Sequence, residues 1–192
     1  MLTGWRKARL RKNALERRAK ACRKQPDAGR ALITQFPDAA WPAVHAVVAG
    51  YRPVRGEIDP APLMETFLLE QAVLALPVVA EKAAPLQFRA YAPGDTLEAR
   101  AYGIEEPEPR KPLVTPSLVL VPLVAFDSRC HRLGYGGGYY DRTLAALKTQ
   151  GRVISVGLAF EAQKVSRLPS GMHDIALDYV VTETACYASK TA

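Results

Sequence analysis

The residues best suited to chemistry lie between 132 and 142, in the run RLGYGGGYYDR, which holds four glycines and three tyrosines between two arginines. A tight turn needs one or two glycines, so four signal a loop whose backbone must come close to something. Bare N–H groups at the start of a helix approach phosphate oxygens without Cβ obstruction, and the helix dipole favours the anion. Arg132 and Arg142 can add positive charge. Asp141 falls in the first turn of the following helix, where it either caps that helix or reaches a divalent cation held by phosphates. The spacing is neither GxxxxGK[ST] nor GxGxxG, which excludes a P-loop and a dinucleotide fingerprint. A tight connecting loop with no ligand is the competing explanation.

Charge gives a second lead once it is located. Residues 1–24 hold ten of the 26 Lys and Arg but one acid, Glu16, so this arm carries +9; the other 168 residues, with 16 bases against 18 acids, carry −2. Attraction for anions is therefore local, and the body is not a nucleic-acid-binding surface. The arm has no Pro, and Ala8, Leu15, Ala19 and Cys22 fall at helical spacing, predicting a basic amphipathic helix over 4–24 with a narrow apolar face. Lys7 and Arg11 are four apart and project together. A solvated basic face is the ordinary fate of such a run.

The elements that must position these groups follow from hydrophobic pattern. VHAVVAGY (44–51), VLALPVV (73–79), LQFRAY (86–91), LVLVPLVAF (118–126), RVISVGLAF (152–160) and LDYVVTE (177–183) read as strands. Helical spacing marks 60–72 and 139–149, and GIEEPEPRKP (103–112) reads as a rigid charged connection. Strand–helix–strand over 44–79 is a βαβ unit, hence a parallel sheet. The expected fold is α/β: one three-layer domain over 1–192 with a mostly parallel central sheet flanked by helices, plus the N-terminal basic helix. The strand over 118–126 is expected to run straight into the glycine loop, which joins it to a helix start.

Three cysteines, at 22, 130 and 186, have no metal-type spacing and read as free thiols in a reducing compartment. No apolar run reaches the ~20 residues that span a bilayer. The Arg-rich N-terminus lacks a secretory apolar stretch and, with its first serine at Ser117, does not read as a transit peptide, so a cytoplasmic location is expected.

The run VPLVAFDSRCHRLGYGGGYYDR resembles the signature of the 5-formyltetrahydrofolate cyclo-ligase family: a strand ending P-x-x-A-F-D, a short hairpin, then R-L-G-x-G-x-G-Y-Y-D. KARLR (7–11), YRPVRGEID (51–59) and LPSGMHDIALDYVVTE (168–183) resemble other family segments in the expected order. The resemblance implies ATP- and Mg²⁺-dependent closure of 5-formyltetrahydrofolate to 5,10-methenyltetrahydrofolate through a phosphorylated formyl group. It implies that Lys7, Arg11 and the run Arg132, Leu133, Gly134, Tyr135, Gly136, Gly137, Gly138, Tyr139 and Tyr140 contact ATP. Tyr135 through Tyr139 also face the folate, with Arg52, Glu57 and Tyr102. The resemblance further implies that Asp141 and Asp174 hold Mg²⁺. Met172 stands where many members carry an acid, and His131 and His173 flank the two motifs. The expected partners are the two small substrates, with no nucleic acid or membrane, and the expected state is a monomer. Another ATP-dependent ligase or kinase for a small amide is the alternative enzyme. A nucleic-acid-binding protein using the basic arm is the alternative of another class.

Overall fold

The structure is a computed structural model that describes residues 2–100, 103–169 and 174–190. Seven strands form the main sheet in the order β11 (Cys186–Ala188), β10 (Tyr179–Val181), β9 (Ile154–Leu158), β6 (Leu118–Pro122), β1 (Val47–Ala49), β2 (Val73–Val78), β3 (Gln87–Ala90). The inner five are parallel and the two edges antiparallel. The expected βαβ unit is present: β1 leads through α3 (Ala61–Leu69) to β2, with Val47 opposite Val73.

Alternation along the strands explains the layers. In β6, Leu118 and Leu120 face one core with α2 (Ala28–Gln35) and α3, while Val119 and Val121 face the other with Leu144 and Leu147 of α4 (Tyr139–Gln150). Helices thus cover both faces, as a parallel sheet requires. Helix α1 (Leu2–Lys24) adds a smaller core, in which Ala14 packs with Val124, Ala125, Leu133 and Leu168.

Several expected boundaries move, for local reasons. The strand at 44–51 shrinks to Val47–Ala49, because a turn bonds the Ala46 N–H to Ala43 and places His45 in the left-handed region, at φ 63°. The segment 118–126 is two strands. Pro122 has no N–H to continue the ladder, and the chain then forms a hairpin of β7 (Ala125–Phe126) with β8 (Arg132–Leu133) before the glycine loop. The charged connection contains β5 (Glu105–Pro107), paired antiparallel with β4 (Leu97–Ala99). Helix α2 and strand β11 have no counterpart in the sequence pattern above.

The apolar face read for α1 is also rotated. Ala8 is exposed, and the turns that dock are those of Lys7, Arg11, Ala14, Arg18 and Ala21, at i, i+4, i+7, i+11 and i+14. The basic helix therefore turns three of its cations inward.

Candidate functional site

Strands β1 and β6 are neighbours in the sheet, yet the chain moves from β1 outward to β2 and from β6 the opposite way to β9 and β10. This is a topological switch point, and in open α/β sheets the crevice beyond the strand carboxyl ends there is where ligands bind. Beyond β1 lies the segment Tyr51 to Asp59. Beyond β6 lie the β7–β8 hairpin and the glycine loop. Helix α1 touches both.

The contacts of α1 set the geometry. Lys7 Nζ lies 2.7 Å from Asp174 Oδ2, and one turn later Arg11 Nε donates to the Gly134 carbonyl at 2.8 Å. The expected joint projection of Lys7 and Arg11 therefore holds, and both land on segments that carry the candidate motifs. Two turns further, Arg18 is completely buried. Its guanidinium donates to the carbonyls of Leu123 at 3.2 Å and Arg55 at 2.9 Å, and to the Tyr135 hydroxyl at 2.7 Å.

Within the loop, Gly136 (φ 103°) and Gly138 (φ 67°) adopt backbone that L side chains resist. A Cβ on Gly138 would also meet the Arg142 guanidinium at 2.6 Å. Gly138 opens α4 with no side-chain cap, so the first N–H groups of the helix are not capped by that residue. Arg142 donates to the Gly137 carbonyl at 2.8 Å and stacks over the Tyr139 ring. The Leu133 side chain packs in the α1 core and Tyr140 against the sheet core, so of Leu133 only backbone faces the loop.

Asp141 does something other than cap. Its Oδ1 accepts from the Arg132 guanidinium at 2.7 Å and from the Ile175 N–H at 3.3 Å, while Arg132 also donates to the Ile175 carbonyl at 2.7 Å. Arg132 is nearly buried, with a side chain 5% exposed, and Asp141 and Asp174 both bear on its charge. The glycine loop and the 174–175 segment are thus joined through one arginine.

Glu57 is a buried carboxylate, not a surface acid at a strand end. Its Oε1 accepts from the Tyr135 hydroxyl at 2.7 Å and lies 3.7 Å from Arg18 Nη1; Oε2 accepts from the Val54 N–H at 3.0 Å. Burial pushes its carboxyl up, and the opposing bonds from Val54 and Tyr135 and the charges of Arg18 and Arg55 do not undo this. The guanidinium groups of Arg18 and Arg55 both lie close to the Tyr135 ring, 5.5 and 5.6 Å from its centre. Burial and the Glu57 carboxylate push its phenol up to about 12, so it is a hydrogen-bond donor at neutral pH.

The other candidates separate. Arg52 points away from this cluster to Glu105 of β5, at 3.3 Å, with both side chains exposed. His131 sits in the hairpin, its Nδ1 3.3 Å from Asp127 Oδ1 but off the hydrogen-bond direction. Tyr102, Met172 and His173 lie outside the described residues. Arg18, Arg55 and Asp127 were not singled out by sequence. For Arg18 the signal was its place on the stripe of Lys7 and Arg11, seven residues beyond the latter.

The carboxylates of Asp141 and Asp174, each 32% exposed, are hard oxygen donors on neighbouring segments. Among the described residues no three metal-ligating side chains cluster. Mg²⁺ is commonly held by one or two carboxylates together with substrate phosphates and water, so this donor set fits it. Each acid already has a basic partner, which would have to be shared with the ion.

The fold and the geometry define an open α/β protein with a glycine loop and a cluster of basic side chains at its topological switch point. Residues 4–183 match the sequence model of the 5-formyltetrahydrofolate cyclo-ligase family. The 5-formyltetrahydrofolate cyclo-ligase of Escherichia coli K12 is 35% identical over 174 residues, 86% of this chain and 93% of that protein. That of Mycolicibacterium smegmatis is 36% identical over 143 residues, 70% of this chain and 72% of that protein. The NMR structure of Aquifex aeolicus 5,10-methenyltetrahydrofolate synthetase superposes with a TM-score of 0.76 at 31% identity, covering 96% of this chain and 93% of that one. The chain belongs to the 5-formyltetrahydrofolate cyclo-ligase family and is an enzyme, a ligase of folate metabolism.

Proposed function

We propose that this enzyme closes 5-formyltetrahydrofolate to 5,10-methenyltetrahydrofolate at the expense of ATP, releasing ADP and phosphate. A formamide carbon is a poor electrophile and its oxygen a poor leaving group. Transfer of the γ-phosphoryl group to that oxygen activates the carbon; N10 then attacks, and the oxygen departs with the phosphate. Such a transfer asks the protein for positioning and charge neutralisation more than for covalent chemistry.

The observation that carries this reading is the convergence of Arg11, Arg132 and Arg142 on the glycine loop and its helix start, with Lys7 alongside on Asp174. In this role Lys7 and Arg11 leave or share Asp174 and the Gly134 carbonyl to neutralise phosphate oxygens. The N–H groups of Gly136 to Tyr140 bind the same oxygens at the start of α4. Asp141 and Asp174 hold Mg²⁺, which supplies charge stabilisation at the transferring phosphate.

On the folate side, the Glu57 carboxylate accepts paired N–H bonds from the pterin's 2-amino and N3 groups. Tyr135 and Tyr139 offer ring faces at the mouth of the loop. Arg52 belongs to the outer rim, beside β5, where it would share Glu105 with the exposed end of the substrate.

Mixing the enzyme with ATP, Mg²⁺ and 5-formyltetrahydrofolate tests the reading in a cuvette. The methenyl product absorbs in the near ultraviolet where its formyl precursor does not. An ATP-dependent rise is the expected result; ATP hydrolysis without that rise would point to another small amide as substrate.

A further inference from the structure

We propose that Arg18 is a positioning residue of the folate side, holding Glu57 charged and in place and linking it to the helix that carries Lys7 and Arg11. This rests on the reading of Glu57 as the folate-binding carboxylate. A fully buried arginine needs a reason, because ordering and desolvating a guanidinium is costly unless its donors are met. Through its two terminal nitrogens Arg18 meets the Leu123 carbonyl, one residue past β6, the Arg55 carbonyl in the loop past β1, and the Tyr135 hydroxyl in the glycine loop, while its buried Nε is left without a partner. One planar group thus fastens all three segments that converge at the switch point to α1.

Its relation to Glu57 is the part that bears on function. Arg18 Nη1 lies 3.7 Å from Glu57 Oε1, within ion-pair reach but beyond a hydrogen bond. Arg18 donates instead to the Tyr135 oxygen, which donates to Glu57. The cation therefore supports the anion without occupying the acceptor lobes that a ligand needs. Arg55 gives a second cation above the Tyr135 ring, Val54 one N–H, and Tyr51 and Tyr140 are the neighbouring phenols. Of the two arginines, only Arg18 is completely buried and tied by backbone acceptors, so it is the fixed member.

The arrangement also orders the site. Tyr135 sits over the carboxylate in this structure, its phenol making the donor contact that a pterin N–H would make. A ligand that takes Glu57 must turn that hydroxyl aside, and Arg18 then retains the carboxylate as its charge partner. Lysine at this position keeps the charge but cannot bridge three acceptors with a planar fork.

The test is a double-mutant cycle of Arg18→Met with Glu57→Gln, reading KM for 5-formyltetrahydrofolate, KM for ATP, kcat and thermal unfolding. Arg18→Met is expected to raise the folate KM at least about tenfold, with the ATP KM within about twofold of the parent. In the Glu57→Gln background it adds little, because the interaction is already gone. Arg18→Lys restores part of the folate KM, whereas a purely structural role predicts loss of active protein at unchanged KM. Equal increases in both KM values, or additivity with Glu57→Gln, overturn the proposal. An unaltered folate KM in Glu57→Gln alone overturns the reading of Glu57 itself, so the two failures are distinct. Should Arg18→Met not fold, Arg18→Lys in the same cycle decides between these outcomes.

Discussion

Asp127 and Glu57 are both buried carboxylates one loop away from the glycine motif, yet their surroundings treat them oppositely. Burial favours the neutral acid in each. At Asp127 that pressure is overcome by N–H groups of Leu168, Arg129 and His131, at 3.1, 3.0 and 3.2 Å, which hold its carboxyl below the usual range. At Glu57 one N–H, one phenol and a guanidinium at 3.7 Å are not enough, and the carboxyl stays above the usual range. The first carboxylate has its acceptor lobes filled by backbone and ties the β7–β8 hairpin to the chain near Leu168. The second is left short of donors, which is a state suited to a ligand that brings its own.

Asp141 and Asp174 form a third kind, paired with single cations and partly exposed. The largest expected effect falls here. If Asp141 holds Mg²⁺ at the transferring phosphate, loss of several kcal/mol of stabilisation in Asp141→Asn lowers kcat by roughly a hundred- to a thousandfold. The Mg²⁺ concentration for half-maximal rate should rise with it. Because Asp141 also pairs with the nearly buried Arg132, some stability is lost too, so kcat must be measured per folded molecule. Normal Mg²⁺ dependence with only a lower melting temperature would assign Asp141 wholly to Arg132.

Next in size is the basic helix. Replacing both Lys7 and Arg11 by Ala should raise the KM for ATP at least about tenfold, since charge-assisted contacts to phosphate are lost. Folate KM should change far less, because Glu57 is served from Arg18 deeper along α1. Unaltered ATP dependence would return Lys7 and Arg11 to a docking role through Asp174 and Gly134.

Asp127→Asn addresses the comparison directly. One oxygen becomes a donor facing donors, at a cost of about 1–3 kcal/mol. For a chain of this size that lowers Tm by roughly 3–10 °C. Parent-like KM values below the transition are expected; a specific rise in either KM would move Asp127 from the scaffold to the site.

The sequence carried the sheet, the helix after the glycine loop and the pairing of Lys7 with Arg11, because each depends on local periodicity. The inner role of Arg18 was hidden for the opposite reason. Its acceptors at Leu123, Arg55 and Tyr135 stand 105, 37 and 117 residues away, and a basic residue on a basic helix reads by default as solvated. Glu57 was legible as a motif residue, but its burial was not, since the covering Tyr135 comes from another loop. The hairpin after β6 was legible only through the family resemblance; its first strand was hidden in an unbroken apolar run, in which only Pro122 marks the end of the sheet strand. Short antiparallel pieces such as β4 and β5 lie in charged sequence and gain their form from each other.

The smallest expected effect is on the stability of Glu57→Gln, and its sign is the sharpest test of the comparison. A carboxyl raised in the folded state binds its proton more tightly there than when unfolded. Its favourable contribution is full below the ordinary glutamate value, near pH 4, and disappears as pH rises through the raised folded value. At neutral pH the buried Glu57 anion is therefore a burden on the fold. Glutamine accepts from the Val54 N–H and carries no charge, so Glu57→Gln should melt at or slightly above the parent temperature at pH 7. The difference should shrink as pH falls toward the ordinary glutamate range. Asp127→Asn must show the reverse, with a deficit that is full at neutral pH and fades as acid protonates the parent aspartate. A Glu57→Gln protein that is less stable at pH 7 by as much as Asp127→Asn would mean that Arg18 and Tyr135 stabilise the anion outright. Glu57 would then behave energetically like Asp127, and the contrast between the two carboxylates would fail.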